Sequence, residues 1–304
     1  MRARENVASS PLELNPGGQK LGYLGVVVAA ASWGTWCIFL RQAERSRPLA
    51  PQLSALVVLT TVFLVLCPLA VRATQRRTRV RSRRDWWLLV AFGITDALNC
   101  VLYFSALQTT SVAVAVLTHY AAPLFVALGA PLVLGEPRHP RTLSSVVLGL
   151  FGLTLLLAPW NVPLAAGPEL LNGALLGLGS AVFYASSLLF NKHLSATFDA
   201  SEMLVYHMPS ALILLALLVP HGGWAISEPA LTWLVFGALG PGALAGVIFM
   251  RSLARVPAAH ASVLTLIEPV TAVSIAALVW GEQLHPLGLL GGVAILVAGY
   301  LVVR

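Results

Sequence analysis

The chain has 304 residues, of which 58% are hydrophobic and only 10% charged, with a mean hydropathy of +0.82. Soluble domains carry about 25% charged residues, so most of this length cannot face water, and the chain reads as an integral membrane protein. Its net charge of +7 does not point to nucleic acid: seven arginines crowd between Arg72 and Arg84, in one loop between apolar runs, where a basic cluster lies against anionic lipid.

Residues 1–20 are polar, carry Arg2, Arg4, Glu5, Glu13 and Lys20, and lack the apolar core and small-residue cleavage site of a signal peptide. They are expected to form a cytoplasmic tail. A helical span needs about 20 mostly apolar residues. Ten such runs follow: 21–40, 51–71, 86–107, 111–134, 143–159, 170–190, 203–220, 231–250, 257–280 and 286–303. The fold class is therefore all-α. With the N-terminus inside, all but Arg41, Arg45 and Arg47 of the 19 Lys and Arg residues fall on the cytoplasmic side, so both termini are expected there. The three cysteines, Cys37, Cys67 and Cys100, lie in apolar runs, which argues against a disulfide framework or a metal site.

The chain also repeats itself. Residues 110–140 read TSVAVAVLTHYAAPLFVALGAPLVLGEPRHP, and residues 256–286 read VPAAHASVLTLIEPVTAVSIAALVWGEQLHP. At an offset of 146, Pro123 meets Pro269, Gly135-Glu136 meets Gly281-Glu282, and Pro140 meets Pro286. The first spans of the halves correspond at an offset of 151, where Trp33 meets Tyr184, Phe39 meets Phe190 and Arg41 meets Lys192. Two related halves, 21–159 and 160–304, with five spans each must sit in opposite orientation. That arrangement belongs to transporters that bind solute near the bilayer midplane, between the halves.

Several residues carry a family resemblance: the entry Ala106, Leu107, Thr110 and Ser111, a proline in span four, Gly-Glu closing spans four and nine, and the pair Glu268-Pro269. With the ten-span order, these resemble the EamA type of the drug/metabolite transporter superfamily, over nearly the whole membrane portion. The resemblance implies a secondary transporter without cofactor, working as monomer or homodimer in the plasma or inner membrane, with outward movement of small metabolites such as amino acids. Efflux of drugs or quaternary cations and a lipid-linked flippase are the alternatives. One departure is that Ala122 stands where the second half has Glu268.

Ionisable groups within spans are candidates for function, since a carboxylate at a helix centre costs about 2.5–3.5 kcal/mol on insertion scales. Asp96 lies mid-span, with Asn99 and Tyr103 at i+3 and i+7 on the same helix face. Glu268 lies mid-span before Pro269, which frees a backbone carbonyl one turn earlier. Both carboxyls are candidates for proton coupling, and bracing of helices is the alternative role. Trp33, Trp36, Asn99, Tyr103, His119, Tyr184, Ser187 and His207 are expected to line a cavity for an amphipathic solute. Along span six, Ser180, Tyr184, Ser187 and Asn191 form one face. His260 is expected to be solvated at a membrane face, and Glu136 and Glu282 to end their spans beside glycine at the interface, with helix termination and gating between the halves as their role and plain solvation as the alternative. Trp86, Trp87, Trp160, Trp224 and Trp233 read as an interfacial belt. No His-Glu-x-x-His, Gly-x-Ser-x-Gly or Walker pattern marks an enzyme.

Overall fold

Each apolar run folds into a helix, because backbone groups inside lipid find partners only within their own segment. The computed structural model describes residues 16–45, 47–76, 80–138, 140–161, 167–283 and 285–304. Ten helices there are long and apolar enough to span a membrane: α1 (Gly17–Ala43), α2 (Pro51–Arg76), α3 (Arg83–Thr109), α4 (Val112–Val133), α5 (Pro140–Leu157), α6 (Pro168–Leu194), α7 (Ala200–Leu218), α8 (Glu228–Leu253), α9 (Ala258–Trp280) and α10 (Pro286–Val303). The first begins inside the expected polar tail, whose residues 1–15 lie outside the described part, as do Arg77 and Arg79 of the arginine loop.

Local chemistry sets the helix ends. Ser82 and Asp85 form a capping box at the start of α3, and Asp199 and Glu202 form one at the start of α7. Ser111 and Ser227 cap α4 and α8. The repeated Gly-Glu has a backbone reason. Gly135 and Gly281 adopt φ of 67° and 69°, a left-handed turn open to glycine that stops α4 and α9 at equivalent points.

The helices pair across the halves. α3 packs on α6 as α8 packs on α1; α5 lies against α10 and α2 against α7. The match extends to single side chains. A Cβ on Gly22 of α1 would stand 2.8 Å from Val256, and one on Gly173 of α6 would stand 2.4 Å from Thr110. These four residues are two repeat-related pairs, so backbone contact at small residues locks both interfaces in the same register.

Five spans are irregular near their middles. α1 breaks at Thr35, α4 at Tyr120 and Ala121, α7 at His207, and α9 at Thr265 and Leu266; α8 carries a π segment over Ala238–Leu244 around Pro241. Pro123, Pro209 and Pro269 follow three of the breaks and remove donors there. Side chains take up freed carbonyls: Thr35 Oγ1 donates to Ser32 O at 2.7 Å, and Thr265 Oγ1 to Ser262 O at 2.7 Å. Irregular backbone at this depth is tolerated where it lines a cavity.

Candidate functional site

Two adjoining cavities lie between the interrupted helices, with Trp33, Trp36, Val58, Leu59 and Cys100 on the walls of both. The narrow one, about 270 Å³, is bordered by Asp96, Tyr184, Ser187, Asn191, His207 and Phe249. The wide one, about 690 Å³, holds Tyr103, Tyr120 and Glu268, and runs between Leu40, Leu107 and Val112. Those last three sit where α1 and α3 end and α4 begins. Successive spans alternate direction, so this end of the wide lobe lies towards the face opposite the N-terminus.

The narrow lobe centres on an acid–imidazole pair. His207 occupies the break in α7, and its Nδ1 lies 2.6 Å from Met203 O. A carbonyl only accepts, so Nδ1 carries a hydrogen and Nε2 turns to Asp96 Oδ2, 3.6 Å away. Phe92 stacks flat on the imidazole, with centroids 4.2 Å apart. Asn191 Oδ1 is buried here with no hydrogen-bond partner among the described residues. Trp33 packs on Phe249 at 4.8 Å, so the lobe's apolar wall is aromatic.

In the wide lobe, Glu268 faces the Tyr120 hydroxyl. Thr265 O, the carbonyl one turn before Pro269, takes the Glu268 N–H instead of the carboxyl. Tyr184 faces Thr265, which sets α6 beside the break in α9.

Of the expected site residues, Trp33, Trp36, Asp96, Tyr103, Tyr184, Ser187, His207 and Glu268 are brought together around the two lobes. His119 and Asn99 lie behind the wall. Ser180 Oγ donates to Asn99 Oδ1 at 2.8 Å and accepts from His119 Nδ1 at 2.7 Å, tying α3, α4 and α6 into one buried chain. Tyr103 covers the His119 ring at 4.2 Å. The expectation of a solvated His260 is corrected. Its Nδ1 bonds the Tyr23 hydroxyl at 2.8 Å and its Nε2 faces Thr142 at 3.2 Å, because α1, α5 and α9 converge there.

Glu136 and Glu282 occupy equivalent positions in different surroundings. Both Glu136 oxygens accept from Ala258 N, at 3.0 and 2.9 Å, capping α9. Burial pushes the Glu136 carboxyl up, against the opposing pull of that N–H and of the Lys192 ammonium. Glu282 instead makes an exposed ion pair with Arg41 at 3.2 Å. Sequence reasoning missed Phe92, Tyr120 and the Lys192 contacts. Only the match of Arg41 to Lys192 hinted at the last.

The EamA-like transporter family matches this chain twice, over residues 20–158 and 171–304. A transporter of Archaeoglobus fulgidus is 27% identical over 288 residues, covering 93% of this chain and 96% of its own. The pseudopaline exporter CntI of Pseudomonas aeruginosa is 27% identical over 282 residues (92% and 94%), and the threonine/homoserine exporter RhtA of Escherichia coli 28% over 247 (79% of each). A solved crystal structure superposes with a TM-score of 0.78 at 18% identity, over 93% of this chain and 97% of that one, and so shares the fold. With the family pattern matched twice and folded around two adjoining cavities, the chain belongs to the EamA-like transporter family and is a multi-pass membrane transporter.

Proposed function

We propose that the protein is a secondary carrier that exports small amphipathic metabolites bearing a protonated amine, amino acids and their relatives foremost, by alternating access between two related repeats, 21–159 and 160–304. The observation that carries this reading is the wall chemistry of the narrow lobe. It presents the Asp96 carboxyl and the unpartnered Asn191 Oδ1, and no Lys or Arg lines either lobe among the described residues. A carboxyl and an unpartnered amide oxygen on walls that carry no fixed ammonium or guanidinium favour a ligand that brings its own donor and positive charge, and an ammonium brings both. Trp33, Trp36 and Phe249 suit the apolar body of such a solute and attract its cation. Similarity to exporters of pseudopaline and of threonine and homoserine supports outward movement of small metabolites.

Counterflow in proteoliposomes tests the reading. Threonine and homoserine should accelerate exchange of labelled threonine. Their N-acetyl derivatives, which lose the ammonium, should compete about 10- to 100-fold less well, as expected for a charge-assisted hydrogen bond worth about 1.5–3 kcal/mol. Equal competition by the acetylated compounds would refute the amine requirement. Stronger competition by tetraphenylphosphonium than by any amino acid would put quaternary-cation efflux in its place, and movement of a labelled lipid alone would put a flippase there.

The reading also sets both termini in the cytoplasm of a cell with this protein in its plasma or inner membrane. Val80, in the arginine loop, is 96% exposed. A Val80→Cys variant is expected to react with an impermeant maleimide only after permeabilisation. Reaction in intact cells reverses the orientation.

A further inference from the structure

On the N-terminal face, beyond the narrow lobe, Lys192 at the end of α6 donates to three carbonyls at the α8–α9 turn: Leu253 O at 2.8 Å, Ala254 O at 3.3 Å and Val256 O at 2.6 Å. Glu136 caps the helix that follows, through Ala258 N. A cation thus holds the carbonyl end of α8 and an anion the N–H end of α9, each matching the local dipole. The turn is shut against α4 and α6.

The repeat supplies the same parts on the opposite face. Arg41 corresponds to Lys192, Glu282 to Glu136, and the α3–α4 turn (Leu107, Gln108, Thr110, Val112) to Leu253, Ala254, Val256 and Ala258. There the parts stand apart. Arg41 and Glu282 pair with each other, their side chains 54% and 59% exposed, and Arg41 lies over the Trp280 ring. The wide lobe occupies the space between Leu40 and Leu107. Val112 is 62% exposed where its counterpart Ala258 is fully buried.

We infer that Lys192 with Glu136, and Arg41 with Glu282, are the two gates of the transport cycle: this structure has the first closed and the second open, and the other state closes Arg41 onto the Leu107, Gln108 and Thr110 carbonyls and Glu282 onto Val112 N. Gly22 of α1 and Gly173 of α6 pack on Val256 and Thr110, residues of the turns themselves, so in this exchange each turn travels with its own helix pair, α1–α8 or α3–α6, and the two pairs move against each other. Nothing in this exchange depends on which solute is carried. It rests on the carrier reading, since a channel has no need of alternately closed ends.

Two thiol reporters at one repeat position test it on the purified, detergent-solubilised protein without substrate, so an error in the proposed substrate leaves the outcome unaffected. Maleimide labelling of Val112→Cys and Ala258→Cys is followed, each on its own peptide by mass spectrometry, to separate them from the native cysteines. In wild type, Val112→Cys should label fast and Ala258→Cys slowly. Adding Lys192→Ala should raise Ala258→Cys labelling and lower Val112→Cys labelling, each by about fivefold or more, the lower end of ordinary coupling between sites. Lys192→Arg should behave as wild type. Adding Arg41→Ala to Lys192→Ala should move both rates back, because the competing gate is then weakened too. If Lys192→Ala raises Ala258→Cys labelling with Val112→Cys unchanged, the clamp is only local bracing and the proposal fails. It fails equally if Arg41→Ala leaves both rates where Lys192→Ala put them. Arg41 is exposed, so Arg41→Ala alone stays informative should Lys192→Ala not fold: it should slow Ala258→Cys labelling below wild type, and an unchanged rate overturns the pairing of the gates.

Discussion

Asp96→Asn is expected to abolish transport driven by a proton gradient while leaving exchange of saturating substrate largely intact in proteoliposomes. The lobe geometry gives the reason. His207 Nδ1 is committed to Met203 O, so Nε2 is the ring nitrogen that faces the Asp96 carboxyl, 3.6 Å away. The same carboxyl is the only acidic group on the narrow lobe among the described residues. On the proposed reading, substrate ammonium and proton compete for it, which is the requirement for antiport. An amide keeps the shape and one acceptor but neither the charge nor the exchangeable proton. The substrate concentration at half-maximal exchange should rise about 10- to 100-fold, with the maximal rate changing little. Glu268→Gln provides the comparison. Its carboxyl faces Tyr120 in the wide lobe, and it couples only if its substitution also removes the gradient response and spares exchange. A wild-type protein indifferent to a pH gradient, or loss of exchange and folding together in both variants, would leave these carboxyls as braces.

Glu202→Ala should lower stability by about 3–5 kcal/mol, the usual cost of breaking a buried ion pair from one side, and the thermal midpoint in detergent by about 10 °C. Glu202 is wholly buried and serves three partners. It accepts from Arg81, from Thr74 Oγ1 at 2.7 Å and from Asp199 N at 2.9 Å, while Thr74 also contacts the Tyr206 hydroxyl. Arg81 is itself nearly buried and lies over the Phe198 ring. Removing Glu202 leaves a guanidinium without counter-charge in an apolar setting. Glu202→Gln keeps the Thr74 acceptor and should lose less. Arg81→Ala combined with Glu202→Ala should recover part of the loss, because the stranded charge is then gone. A thermal midpoint unchanged in Glu202→Ala would show that the ion pair contributes nothing. The cluster ties the arginine-rich loop to the start of α7, beside the closed end of the bundle.

Much of the fold was legible in the sequence, for reasons that reside in single segments. Hydrophobic length set the ten spans, since a lipid interior admits only internally bonded backbone. Gly135 and Gly281 marked two helix ends because few other residues take a left-handed turn without strain. The polar face of α6 was readable from helical spacing, and Tyr184, Ser187 and Asn191 do border the narrow lobe. Which other polar groups reach that lobe was decided by tertiary structure. Asn99 shares a face with Asp96, yet Ser180 draws it into the hydrogen-bonded chain with His119. His260 finds Tyr23 and Thr142 from helices 237 and 118 residues away in sequence. In a membrane both lipid and protein interior are apolar, so periodicity identifies a polar stripe without naming the helix it faces. The two ends of the cavity make the same point most sharply. Val112 and Ala258 hold one position of the repeat, but one is exposed and the other buried. A pattern shared by both halves specifies both closures equally, and only the packing of Lys192 on the α8–α9 turn, without its counterpart on α3–α4, determines which end is shut.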